Sequence, residues 1–124
     1  MSAHIYARIR LYTRAREPWL PWHQEEKMKN DLRESKIERA LGRVVRRNGG
    51  LYFKFVSPGN AGVPDRLVVL PGGRVIFVEL KAEGGALTAL QQRQIERLHA
   101  RGVDVYVIRG CDDIKDFAEE VMPV

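Results

Sequence analysis

"GVPDRLVVLPGGRVIFVELK", residues 62–81, sets three charged side chains, Asp65, Glu79 and Lys81, inside the most apolar segments of the chain. "DRLVVL" and "RVIFVELK" read as two β-strands around "PGG", a hairpin signal. Their apolar continuity predicts burial on both faces. Side chains alternate along a strand, so Glu79 and Lys81 share a face and Leu80 takes the other. Where Asp65 points depends on the turn. A three-residue loop, Pro71-Gly72-Gly73, makes the numbers of facing residues add to 144 and sets Asp65 opposite Glu79, whereas a two-residue Gly72-Gly73 turn makes them add to 145 and sets Asp65 beside Leu80. Turn chemistry favours the longer loop, with Pro71 at position i+1 of a type I turn and Gly73 as the left-handed residue of a G1 bulge.

Two carboxylates facing each other on neighbouring strands lie ~5 Å apart at Cβ and repel, and buried charge without a partner costs several kcal/mol. Lys81 supplies one positive charge. A hard divalent ion held by carboxylate and carbonyl oxygens is the more natural partner, and Mg²⁺ or Mn²⁺ matches Asp65, Glu79 and the Leu80 carbonyl. Such an ion activates water and stabilises charge on a phosphoryl oxygen, while Lys81 orients the nucleophile or offsets phosphate charge, which is the chemistry of phosphodiester hydrolysis. The plain alternative is an edge-strand salt bridge among the same three residues.

Outward from the hairpin, Ile37, Ala40, Leu41, Val44 and Val45 recur at helical spacing within 31–48, and Asn48-Gly49-Gly50 stops that helix. Arg39, Arg43, Arg46 and Arg47 fall on the face opposite the stripe and form the strongest basic patch. "LYFKFV" (51–56) reads as a strand, and the "SPGNAGVP" loop after it lacks the Gly-Lys-Ser/Thr of a nucleotide P-loop. A second helix spans Thr88 to Arg101 with Leu87, Leu90, Gln91, Gln94, Ile95 and Leu98 near one stripe, "VDVYVI" (103–108) is a further strand, and Asp112 or Asp113 caps a last helix through Ile114, Phe117, Ala118 and Val121. Residues 1–30 carry Arg8, Arg10, Arg14 and Arg16 among Tyr6, Tyr12, Trp19 and Trp22 without sustained periodicity. They read as a basic arm ahead of a domain at 31–124. Its aromatic and basic residues suit either packing onto the body or stacking and phosphate contact with nucleic acid.

The 124 residues, 44% apolar and 30% charged, suit one globular domain and exclude wholesale disorder. No apolar run approaches the ~20 residues of a membrane span, and the Arg-rich start lacks a secretory h-region, so a cytoplasmic protein is expected. The lone Cys111 excludes an internal disulfide, and His4, His23 and His99 are too scattered for zinc spacing or a local nucleophilic triad. Residues 111–124 hold Lys115 against Asp112, Asp113, Asp116, Glu119 and Glu120, so the formal charge of +5 resolves into −4 there and +9 over 1–110. That imbalance points to a polyanionic partner, and charge alone suits a solvated, solubilising surface equally well.

Pro64-Asp65 followed by Glu79-Leu80-Lys81 resembles the PD-(D/E)XK nuclease superfamily. "GVPDR", "VELKAEGGALTALQ" and "VYVIRG" together are similar to its VRR-NUC family over residues 34–120. The resemblance implies an α/β fold with a restriction-endonuclease-like αβββαβ core, its mixed central sheet flanked by helices. It also implies Asp65 and Glu79 as metal ligands, Lys81 as the catalytic lysine, a first-helix glutamate and a glutamine after the Glu-x-Lys strand. Glu38 in "IERAL" suits the first of these, with Glu34 a rival, and Gln91 in "LTALQ" the second. Ser35-x-x-Glu38 and Thr88-x-x-Gln91 also match capping boxes. The basic segment 1–30 has no evident counterpart in the family core.

These readings converge on a divalent-metal-dependent, structure-specific DNA endonuclease of a bacterial cell or phage-infected host. The similarity to small stand-alone members implies a homodimer that resolves Holliday junctions. A flap or nicking nuclease of the same fold, or a DNA-binding module that does not cut, are the alternatives.

Overall fold

The computed structural model describes residues 9–12 and 24–122, with side chains from residue 33 onward. The element order is β1 (Ile9–Tyr12), α1 (Gln24–Arg47), β2 (Leu51–Lys54), β3 (Arg66–Leu70), β4 (Arg74–Leu80), α2 (Ala89–His99), β5 (Asp104–Ile108) and α3 (Cys111–Val121). Leu70 faces Arg74 and Arg66 faces Val78, so the numbers of facing residues in the β3–β4 hairpin add to 144. The three-residue loop therefore holds, but its turn differs from expectation. Gly72 sits at φ +92° and the Gly73 N–H donates to the Leu70 carbonyl at 3.1 Å. A left-handed glycine in the third position, directly after Pro71, is the mark of a type II turn rather than type I.

The sheet runs β1-β5-β4-β3-β2, with β1, β5 and β4 parallel and β4, β3 and β2 antiparallel in succession. Elements α1 to β5 make up the αβββαβ core of a PD-(D/E)XK-type α/β fold, with helices on both faces of a mixed sheet. Two parts of residues 1–30 differ from a free arm. Ile9–Tyr12 adds a fifth strand beside β5, and α1 starts at Gln24 rather than Asp31. The strand is four residues long, too short for alternation to stand out. The added helical turns, "QEEKMKN", are held by strong helix formers and lack an apolar stripe. The remaining arm residues, Trp19 and Trp22 among them, lie outside the described residues.

The even-numbered face of the hairpin (Val68, Leu70, Ile76, Val78, Leu80) packs against Ile37, Leu41 and Val45 of α1 and Ile114, Phe117 and Val121 of α3. Complete burial of side chains such as Leu41 and Phe117 contributes about 2 kcal/mol each. On the odd-numbered face, Ile95 and Leu98 of α2 cover Val105, Val107 and Phe77. A helix is ~10 Å across and strands are ~4.8 Å apart, so one helix shields about two strands. Leu51, Phe53 and Val75 consequently stay about half exposed, and the expected two-sided burial of the hairpin is met only toward the end of β4.

Helix α1 stops as expected at Asn48-Gly49-Gly50. Gly50 N–H donates to Val45 O at 2.9 Å and Gly49 N–H to Arg46 O at 3.0 Å, with Gly49 at φ +79°, a Schellman motif. Helix α2 also deviates in detail, since Leu90, placed on its inward stripe by periodicity, is 46% exposed. Gly110, with no side-chain hydrogen bond, is the N-cap of α3. Asp113 instead accepts the Arg109 N–H at 2.8 Å, and Asp112 does not take the cap either.

Candidate active site

Continuing the hairpin register one step past Arg66 and Val78 brings Asp65 opposite Glu79. Asp65 stands just outside the ladder, its carbonyl accepting from the Phe55 N–H at 2.8 Å and from Arg66 Nη1 at 3.0 Å. Its carboxylate is divided: Oδ2 meets Arg66 Nη1 at 3.1 Å, while Oδ1 is buried without a hydrogen-bond partner. Glu79 is 5% exposed. Burial first, and then the Asp65 carboxylate and Glu34, push its pKa up to about 7 against the opposing pull of Lys81 and the Asp65 backbone N–H. Burial and the facing carboxylate thus favour the protonated form of Glu79.

Lys81 follows β4, and its N–H donates to the Ile108 carbonyl at 2.9 Å, prolonging the pairing with β5. That keeps strand alternation intact and the ammonium on the Glu79 side. One step further along the register, Pro64 stands opposite Leu80. Proline has no N–H to donate, so the Leu80 carbonyl receives no ladder bond from that residue.

Gln91 closes the capping box that its sequence context offered and also reaches Glu79. Its Oε1 accepts the Thr88 N–H at 2.9 Å and its own N–H donates to Thr88 Oγ1 at 3.1 Å, closing the capping box of α2. Its Nε2 donates to Glu79 Oε1 at 3.0 Å. The cap fixes the side chain that the carboxylate uses.

The first-helix acids divide differently. Glu38 Oε1 takes Arg66 Nη2 at 2.8 Å, whereas Glu34, one turn earlier, is the acid of α1 whose charge raises the pKa of Glu79. Sequence reasoning missed Arg66, which is 7% exposed. Burial opposes its charge, but the bond to Glu38 and the charges of Asp65 and Glu38 outweigh that and raise its pKa. The signal open to a reader of the sequence was a lone arginine on the core-facing side of "DRLVVL", which requires an acid from a packed element. Tyr52 lies in the same cluster, its pKa pushed up to about 12, chiefly by burial. Arg39, Arg43, Arg46 and Arg47 are exposed along α1, as the helical periodicity requires. Arg46 is partly committed, its guanidinium 5.9 Å from the centre of the Tyr52 ring.

Among the described residues no group of three or more His, Cys, Asp or Glu side chains is gathered to hold a metal ion. Asp65 and Glu79, with the Leu80 carbonyl, form a smaller set of hard oxygen donors. Mg²⁺ commonly uses one or two carboxylates and keeps waters or substrate oxygens for its other positions, so this set fits such an ion. The orphaned Asp65 Oδ1 is the atom that most needs one. No helix among the described residues is long and apolar enough to cross a membrane.

Comparison with known proteins agrees with this architecture. A solved structure described as a VRR_NUC domain superposes with a TM-score of 0.69 at 31% identity, covering 72% of this chain and 97% of that one. A protein named "Putative nuclease p44", from Acyrthosiphon pisum secondary endosymbiont phage 1, is 52% identical over 81 residues, 65% of this chain and 87% of the phage protein. The family model for the VRR-NUC domain matches residues 2–112. Most of segment 1–30 therefore lies inside the family pattern, contrary to the sequence reading, in keeping with the place of β1 in the sheet. The chain belongs to the VRR-NUC domain family of nucleases.

Proposed function

We propose that this nuclease is a divalent-metal-dependent endonuclease acting on branched DNA, with Asp65, Glu79 and the Leu80 carbonyl as ligands for Mg²⁺ or Mn²⁺. The observation that carries the reading is the facing of Asp65 and Glu79, with Glu79 held by Gln91 and Lys81 projecting from the same strand face. When bound, the cation supplies Lewis-acid stabilisation of phosphoryl charge and a water of lowered pKa. Lys81 orients the attacking water or offsets charge on the scissile phosphate. Gln91 keeps the Glu79 carboxylate in one rotamer. Glu38 holds Arg66, which in turn steers Asp65, and Glu34 is the first-helix acid closer in its electrostatic effect to the site. Arg39, Arg43 and Arg47, with Arg46 over Tyr52, offer phosphate contacts along α1.

The specific form of this reading is a homodimer acting on a four-way junction, supported by the resemblance to small stand-alone family members and by the match of two symmetric sites to two strands. Incubating a four-way junction, a flap and plain duplex side by side with Mg²⁺ or Mn²⁺ tests it. Paired symmetric nicks confined to the junction, from a species sedimenting as a dimer, are expected. Cutting at the flap alone would favour the flap nuclease, and equal cutting of plain duplex would overturn structure specificity.

One observation favours a second reading, a DNA-binding module that does not cut: Arg66 already neutralises part of Asp65. Asp65→Ala separates the two. It should abolish cleavage, by at least about 1,000-fold if the metal site is lost, while leaving DNA affinity within about three-fold. Retained cleavage would remove Asp65 from the site.

A further inference from the structure

Asp65 precedes β3 and follows Pro64, so the register alone does not hold the loop leading to it, and a second anchor is visible at α2. Gly62, at φ +83°, lies so close to Leu90 that a Cβ there would come within 2.9 Å of the Leu90 carbonyl carbon, its oxygen and its Cγ. Beside this contact, Gln94 Nε2 donates to the Ala61 carbonyl at 3.1 Å. The loop is closed on its far side by Asn60, whose N–H reaches Ser57 O at 3.1 Å and whose Nδ2 reaches Ser57 Oγ at 2.9 Å. The clasp thus joins a point three residues before Asp65 to the residue immediately before Gln91. Val63 and the fully buried Pro64 span the gap to Asp65.

We infer that Gly62 and Gln94 are positioning residues, which lock the loop ending at Asp65 onto the first two turns of α2 and so fix Asp65 relative to the Gln91–Glu79 pair. This rests on the site reading above. The clasp needs glycine for two separate reasons. Position 62 is left-handed, where a side chain is disfavoured, and the opposing surface is largely backbone, which cannot rotate aside as a flexible side chain would. An added methyl must push α2 and the loop apart. Displacements of ~1 Å in a catalytic constellation can cost about 100-fold in rate.

The test measures cleavage of a synthetic four-way junction with Mn²⁺ by Gly62→Ala, Gln94→Ala, Gln91→Ala and the Gly62→Ala/Gln91→Ala double variant, with amide exchange on the metal-free proteins. Gly62→Ala should lower kcat about ten-fold or more with KM within about two-fold, and should add little once Gln91 is gone, because both changes act on one unit. Gln94→Ala should accelerate exchange in residues 61–65 and in 89–92 together. Unchanged kcat in Gly62→Ala, multiplied losses in the double variant, or faster exchange confined to the loop would each overturn the inference. Should Gly62→Ala not fold, the Gln94→Ala exchange pattern and kcat decide alone. Loss of cleavage in Asp65→Ala with a silent Gly62→Ala removes only the clasp; retained cleavage in Asp65→Ala removes the site and the clasp with it.

Discussion

Glu79 carries the tension of the site in one side chain. It is buried, faces Asp65, feels Glu34, and has Gln91 and Lys81 to set against them. Its pKa of about 7 in the fold lies above the ordinary value of 4.5, so the fold favours the protonated form. Without metal the sign follows directly. Below pH 4.5 both folded and unfolded chains hold the proton and nothing is lost; as pH rises toward 7 the unfolded chain releases it first and stability falls, by about 3 kcal/mol over the window. Glu79→Gln keeps the oxygen that Gln91 uses and cannot ionise. Urea unfolding of the metal-free protein between pH 4.5 and 7 should therefore show a smaller decline for this variant than for wild type. Parallel curves would mean that Glu79 ionises in the fold without penalty. Arg66 teaches a related lesson at the same scale: its charge was legible in the sequence, but its role was not, because its partner Glu38 lies on another element.

At the level of elements, α2 joins local folding to the candidate chemistry. Its capping box is a property of "TALQ" alone, yet the same Gln91 reaches across to β4. The two functions are separable. Thr88→Ala removes the hydroxyl acceptor but leaves the Thr88 N–H bonded to Gln91 Oε1, so it should cost about 1 kcal/mol of stability and leave cleavage within about three-fold. Gln91→Ala should instead lower cleavage about ten-fold or more. Thermal melts and kcat for the two variants check this, and a larger rate loss in Thr88→Ala would mean that the hydroxyl, not the amide, organises the site. The β3–β4 hairpin shows how register outlasts turn detail. A type II turn replaced the expected type I, but both use the same loop length, and loop length sets which residues face each other.

Across the whole molecule, Arg39, Arg43, Arg46 and Arg47 set part of the positive charge of residues 1–110 along the exposed side of α1. Replacing Arg39, Arg43 and Arg47 by alanine, sparing Arg46 over Tyr52, should weaken DNA binding and flatten the dependence of log K on log salt by about 0.9 for each phosphate no longer neutralised. Binding titrations from low to physiological salt measure it, and an unchanged slope would move the DNA to another surface. By itself the sequence determined the hairpin, the apolar stripes of α1 and α3, the αβββαβ order and the facing of Asp65 and Glu79, because period, turn length and alternation are short-range rules. Only the tertiary structure decided that residues 9–12 join the sheet, that Glu38 serves Arg66 while Glu34 acts on Glu79, and that α2 clasps the loop before Asp65. Those outcomes depend on which elements pack together, and proximity between residues distant in the chain leaves no period to read.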